Sequence, residues 1–181
     1  MKQLLKLIIF CQLMFIGPVT LLAQSMKGEP FSERLFYGGN FGLQFGNQTV
    51  IDINPLIGYK VTEKLAVGTS LTYLYYHYDD PYHVYPSYSS NMYGGSLFTR
   101  YYLFENLFAD VEGELLNMEV PDYFRQEYVR RNVFSFYVGG GYRQMMGTNS
   151  SLNLMLLYNL NQDIYSPYQN PIIRIGFGFG I

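Results

Sequence analysis

Eight stretches of this chain alternate apolar and polar residues with a period of two, the spacing that places successive side chains on opposite faces of a strand. They run over 35–47, 49–60, 65–76, 92–104, 107–117, 132–144, 151–160 and 171–181. In the first, Tyr37, Gly39, Phe41, Leu43 and Phe45 oppose Gly38, Asn40, Gly42, Gln44 and Gly46. In the fourth, Tyr93, Leu97, Tyr101 and Leu103 oppose Gly94, Ser96, Phe98 and Arg100, and the seventh sets Leu152, Leu154, Leu156, Tyr158 and Leu160 against Ser151, Asn153 and Asn159. Pro55, on the apolar face of the second stretch, lacks a ladder donor and predicts a bulge or bend there. Each stretch is near the roughly 9–11 residues of a membrane-crossing strand, and eight is the smallest usual barrel. The pattern predicts an all-β protein, an eight-stranded antiparallel up-and-down transmembrane β-barrel.

The connections alternate in length. Short ones fall near 61–64, 105–106 and 145–150, longer ones near 77–91, 118–131 and 161–170, with a very short exception near Asn47-Gln48. Short periplasmic turns and longer extracellular loops produce this asymmetry, so both termini are expected in the periplasm. Outward tyrosines support it: Tyr37, Tyr59, Tyr101 and Tyr142 fall toward one end of their strands and Tyr73, Tyr75, Tyr93 and Tyr158 toward the other. Two aromatic belts flanking Leu, Ile, Val and Phe are what two membrane interfaces require.

The N-terminus reads as a secretory signal over 1–23: Lys2 and Lys6, an apolar stretch broken by Gly17-Pro18, and a small-residue cleavage site ending at Ala23. Residues 24–34 then form a short periplasmic segment before a barrel over 35–181. Cys11, the single cysteine, leaves with the signal, so the mature chain has neither disulfides nor a thiolate metal site. The remaining ten basic and fourteen acidic residues make it mildly acidic, which argues against nucleic acid as a partner. Nothing after residue 23 is apolar for long enough to span a membrane as a helix.

The ending Pro171-Ile-Ile-Arg-Ile-Gly-Phe-Gly-Phe-Gly-Ile181 puts Ile173, Ile175, Phe177, Phe179 and Ile181 on one face. It resembles the C-terminal strand by which the bacterial assembly machinery recognises outer-membrane barrels, though it closes on Ile instead of Phe. With that ending and the eight alternating stretches, the chain resembles the small barrels of the OmpA/OmpX-like superfamily. Its Tyr, Asn and Gly richness is similar to uncharacterised members from Bacteroidota. The resemblance implies an outer-membrane location; OmpA-type proteins often carry a peptidoglycan-binding domain after the barrel, and none is expected here because the chain ends with the barrel. A soluble lipocalin-like barrel would turn its apolar face inward; the absence of Trp and the Gly, Ser and Asn on the polar faces favour the membrane form.

Inward charges are expected at Asp52, Lys60, Arg100, Asp110, Glu112, Glu114, Arg143 and Arg174, four acids against four bases. In a lumen just wide enough for side chains, such charges must be paired, so they read as a structural ion-pair network. Their alternative is a narrow polar path for ions or small solutes. The loop around 77–91 holds His77, Asp79, Asp80 and His83 beside Ser87, Ser89 and Ser90, ingredients of a lipid-modifying enzyme or a metal site but without a recognised spacing. No catalytic residue, metal or cofactor is assigned. Tyr78, Tyr82, Tyr85 and Tyr88 in that loop, with Arg125, Arg130 and Arg131 in the next, are the candidate surface-binding residues: tyrosine gives contact area at low entropy cost and arginine pairs with phosphate. The expected role is structural or interactive, either surface binding or as an accessory subunit beside a larger outer-membrane partner. Outer-membrane lipid and lipopolysaccharide surround the barrel, and the barrel assembly machinery inserts it.

Overall fold

The computed structural model describes residues 30–44, 48–78, 87–122, 127–161, 163, 165–168 and 170–180. Eight strands account for most of them: β1 (Leu35–Gln44), β2 (Gln48–Lys60), β3 (Leu65–Tyr78), β4 (Tyr88–Tyr102), β5 (Leu107–Asp122), β6 (Glu127–Met145), β7 (Ser150–Asn159) and β8 (Ile172–Phe179). Each pairs antiparallel with its sequence neighbours, and β1 pairs with β8 to close an up-and-down barrel. Closure matters because it leaves no full-length edge on which backbone groups stay unpaired. The predicted signal segment, 1–23, lies outside the described residues. From the predicted 24–34 segment, Phe31–Arg34 forms one 3₁₀ turn that packs on β2, with Phe31 stacked on Tyr59 at 5.0 Å and Arg34 donating to the Tyr59 hydroxyl.

Alternation along each strand sorts side chains as the sequence pattern requires. Phe41, Ile53, Leu71, Leu97, Leu115, Phe134, Leu154, Ile173 and Phe177 are exposed on the outer wall, while Asp52, Arg100, Asp110, Glu112, Glu114 and Arg174 are buried inside. The interior is nonetheless more apolar than its Gly, Ser and Asn content suggests. Phe36, Ala66, Phe98, Tyr102, Phe108, Tyr137, Met155, Leu157 and Ile172 form one buried cluster. A second, of Leu74, Met92, Met118, Val120 and Val133, fills the hairpin end, opposite the short turns.

Three rings fit this narrow space by the same device. Phe36 faces Gly58, Phe98 faces Gly68 and Phe108 faces Gly141 as direct cross-strand partners. A Cβ on any of these glycines would lie well inside contact distance of the facing ring. The glycine leaves the room that the ring fills, so a large and a small residue together give native packing density.

The sequence pattern places the strand ends too early at the hairpin end. Pairing of β3 with β4 continues to Tyr78–Tyr88, and β5 with β6 to Asp122–Glu127. Much of the expected loops 77–91 and 118–131 is therefore strand, sustained by Tyr and Val side chains that suit a pleated surface. The bulge expected at Pro55 is absent: β2 keeps one register with β3 on both sides of it, from Ile53–Tyr73 to Leu56–Ser70. Proline faces outward there, and Asn54 Nδ2 donates across the unpaired gap to Thr72 Oγ1 at 2.7 Å. Short turns occupy 61–64, 103–106 and 146–149, the last with Gly147 at φ +119°, a conformation that favours glycine.

Coupling between ring and glycine is measurable at the Phe36–Gly58 pair, where the three atoms nearest a Cβ on Gly58 all belong to the Phe36 ring. Gly58→Ala should destabilise the barrel by about 1–3 kcal/mol through overpacking. Phe36→Ala should cost about 3–5 kcal/mol, as buried Phe truncations do. The double variant should lose less than the sum, because the new methyl enters space the ring has left. Urea unfolding of the refolded protein in lipid vesicles measures all three; strict additivity would refute the packing assignment.

Candidate functional site

The lumen at mid-height is a polar layer between the two apolar clusters. Arg174, on β8, reaches across the lumen and donates from Nη1 to Glu112 Oε2 on β5 at 2.7 Å. Its guanidinium also lies 5.1 Å from the Tyr137 ring centroid and 5.7 Å from that of Tyr168, which compensates its desolvation on the ring faces. Lower in the barrel, Arg100 Nε donates to Asp110 Oδ2 at 2.8 Å and Nη2 to Met155 Sδ at 3.4 Å. Phe108 stacks beneath this arginine at 4.2 Å and Phe98 at 5.5 Å. Arg100 and Asp110 are direct cross-strand partners, so the ladder register itself sets their pairing.

Glu114 is fully buried without an arginine on its oxygens. It accepts from the Thr72 hydroxyl at 2.7 Å and from the Tyr137 hydroxyl at 2.9 Å. With Asn54 donating to Thr72, four residues from four strands form one polar chain. Asp52 Oδ2 accepts from Tyr168 at 3.2 Å. Tyr168 belongs to the connection between β7 and β8, which turns into the barrel and packs against both apolar clusters and, edge-on, against Tyr137. That connection reads as a surface loop from sequence; it is a plug, because an aromatic ring with a polar tip satisfies a buried carboxylate and fills space together.

Lys60 and Arg143 do not enter this layer. Both line an open cavity of about 690 Å³ at the short-turn mouth, with Glu63, Lys64, Tyr102 and Glu105 among its walls. Arg143 donates to the Glu105 carbonyl at 2.8 Å and lies 4.5 Å from the Tyr102 ring. The expected four-against-four arrangement is therefore corrected: four acids share the deep interior with two arginines. Hydroxyl donors replace the missing bases, a substitution that residue counting along the strands does not reveal.

At the hairpin end, β4 and β5 are paired only up to Tyr93–Asn117. Glu119 sits where they part, accepting from Arg130 at 3.3 Å, Ser90 at 3.2 Å and Tyr88 at 3.5 Å. Arg130 also donates to Asn117 at 3.0 Å and to the Asn91 carbonyl at 3.2 Å, and lies 4.8 Å from the Tyr93 ring. Tyr88 stacks on Tyr128 at 4.7 Å. Tyr78, Tyr88, Arg130 and Arg131 are thus strand residues, Arg131 being exposed, while Tyr82, Tyr85 and Arg125 lie outside the described residues.

On its other side β6 pairs with β7 only from Tyr137 down. Just above, the side chain of Asn161 substitutes for a strand: Phe136 N donates to its Oδ1 at 2.7 Å and its Nδ2 donates to the Phe134 carbonyl at 3.0 Å. By the two-residue repeat, Asn132 and Arg130 turn their backbone groups the same way, and among the described residues no strand meets them.

His77 meets Ser89 at 2.8 Å from Nδ1 to Oγ, as directly opposed residues on the outer face of β3 and β4, and stacks on Tyr75. No acid orients the pair among its hydrogen bonds, and His83, Asp79 and Asp80 lie outside the described residues. Among the described residues no group of three His, Cys, Asp or Glu side chains is placed to hold a metal.

No protein-family model matches the chain, and no curated protein matches it. Among solved structures, it is similar to the N-terminal β-barrel domain of OprF from Pseudomonas aeruginosa, with 14% identity and a TM-score of 0.47 over 81% of this chain and 96% of that one. It is also similar to a de novo designed transmembrane β-barrel, with 13% identity and a TM-score of 0.42 over 85% and 98% of the two chains.

Removing one member of the Arg174–Glu112 pair leaves a buried charge uncompensated. Glu112→Leu should destabilise by about 3–5 kcal/mol, whereas Glu112→Leu combined with Arg174→Met should recover much of that loss. Equal destabilisation of the single and double variants in urea would show that the pair is not the compensating unit.

Proposed function

We propose that this barrel is an outer-membrane protein of the OmpA/OmpX-like type with a structural or interaction role at the cell surface. The observation that carries the reading is the reversed distribution of polarity: large apolar side chains exposed all round the wall, ionisable ones buried within. In water that wall would be an apolar patch far larger than a soluble monomer exposes. In a bilayer it is the lipid contact.

The dimensions agree. From Tyr101 to Tyr93, the outward tyrosines that bracket the belt on β4, the strand covers about 26 Å at roughly 3.3 Å per residue. A tilt of roughly 35–45° reduces this to about 20 Å along the axis, close to the ~25 Å apolar band of outer-membrane barrels. The short turns then face the periplasm and the longer β3–β6 hairpins project outward, following export by the signal over 1–23 and insertion by the assembly machinery. Lipopolysaccharide phosphates are suitable partners for Arg130 and Arg131 at that rim. The crowding of Tyr137, Tyr168 and Arg174 at mid-height supports a filled barrel over a pore, and the unmet β6 edge at Arg130 and Asn132 supports an extended protein segment as partner, added as a strand. The neighbouring arginines restrict indiscriminate pairing there.

The natural sequence lacks Trp, so single-Trp variants report position without background. In vesicles of lipids brominated near mid-chain, Leu97→Trp should lose more than half its fluorescence and Glu63→Trp little. Equal quenching of the two would remove the membrane reading. A detergent pull-down from the native outer membrane should bring a larger partner with the wild type and with Asn132→Ala. Asn132→Pro, which deletes a backbone donor on the open edge, should lose it. Purification of the wild type alone would leave a structural role only.

A further inference from the structure

The ladder that closes the barrel ends early. β1 and β8 pair from Tyr37–Phe179 to Phe41–Ile175. Beyond that, β1 continues with β2 to Gln44–Val50 and β8 continues with β7 to Leu157–Ile172, yet among the described residues no pairing joins them to each other. The wall thus opens into a wedge on the hairpin side. A cavity of about 170 Å³ occupies it. Phe41 and Ile173 of the outer face line it together with Asp52, Arg174 and Tyr168 of the interior, so the cavity crosses the wall.

Its floor carries polar atoms without a partner. Arg174 is 5% exposed and donates from Nη1 to Glu112, but Nε and Nη2, the pair of donors along one side of the guanidinium, have no acceptor among the described residues. Asp52 is 8% exposed and accepts from Tyr168 at Oδ2, while Oδ1 has no donor among the described residues. A fork of two parallel N–H groups suits a carboxyl group bound through two oxygens. The apolar flanks lead outward to the belt.

We propose that this seam is a binding site for the carboxyl head of a single-chain amphiphile that enters sideways from the lipid. The head lies on the Arg174 fork and its chain runs out between Phe41 and Ile173 along the wall. Asp52 selects the protonated acid, whose two oxygens accept from the Arg174 fork while its O–H donates to Oδ1. The volume, about five or six water volumes, admits a head and its first methylenes and excludes a whole lipid. The proposal rests on the reading that the outer wall faces lipid.

The test uses the full mature protein in nanodiscs and [1-¹³C]laurate, with acetate, dodecanol and dodecyltrimethylammonium as controls. Insertion is scored first, by the fluorescence quenching of Leu97→Trp. Saturable binding of one laurate per barrel, with a shifted carboxyl resonance, is expected. Dodecanol, which can meet Asp52 but not the fork, should bind at least tenfold more weakly, and the ammonium should not compete. Arg174→Lys keeps the charge beside Glu112 but removes the fork, and should weaken laurate at least tenfold. Gly42→Leu approaches the cavity from β1, where a Cβ already lies 3.3 Å from Asp52 Cβ, and should do the same without touching the ion pair. Non-saturable partitioning, equal binding by Gly42→Leu, or acetate competing as well as laurate would each overturn the proposal. If Leu97→Trp shows no insertion, the membrane reading itself fails; inserted protein that ignores laurate defeats only the seam.

Discussion

The rest of the structure depends on closure of one antiparallel ladder into a ring of eight strands. Closure satisfies the backbone groups that an open sheet would leave at its edges, and it fixes a lumen only wide enough for side chains. Every inward position then competes for the same small volume. The facing of Phe36, Phe98 and Phe108 on glycines is one solution to that competition. The inward turn of Tyr168 is another, since it fills the hairpin half of the lumen where β7 and β8 are short.

Within such a space a charge is tolerated only if it is compensated. Two arginines do this in two ways each. Arg100 has Asp110 as ion partner and Phe108 as a ring beneath it; Arg174 has Glu112 and the rings of Tyr137 and Tyr168. Glu114 and Asp52 depend on hydroxyl donors, which bring no charge and little volume. The polar layer therefore holds more carboxylates than arginines, and among its unserved atoms Asp52 Oδ1 and Arg174 Nε and Nη2 lie beside the seam.

The two ends of the ring differ because strand lengths differ. The short-turn end is tight, and the wall between β1 and β8 is paired there. At the other end the β3–β6 hairpins outreach their neighbours, which produces the part between β4 and β5, the unmet edge of β6 and the wedge between β1 and β8. At the first, Glu119 and Arg130 fill the gap with contacts to Tyr88, Ser90, Asn91 and Asn117; at the other two, backbone or buried polar groups are left without a partner among the described residues.

By itself the sequence determined the number of strands, their up-and-down order and which residues face in. Period-two alternation is local, and a one-residue slip would turn every apolar side chain of a strand to the wrong face. The candidate residues Asp52, Arg100, Asp110, Glu112, Glu114 and Arg174 were legible for that reason, as inward positions on their own strands. Their partners were not. Glu112 meets Arg174 across the lumen, Glu114 meets two hydroxyls, Arg143 stays at the mouth, and the tyrosine that satisfies Asp52 comes from a segment with no strand pattern at all. Where strands outlast their alternation, and where one ladder stops before another, also belonged to the tertiary structure. Both depend on how far each neighbour reaches around a closed ring, and no single strand carries that information.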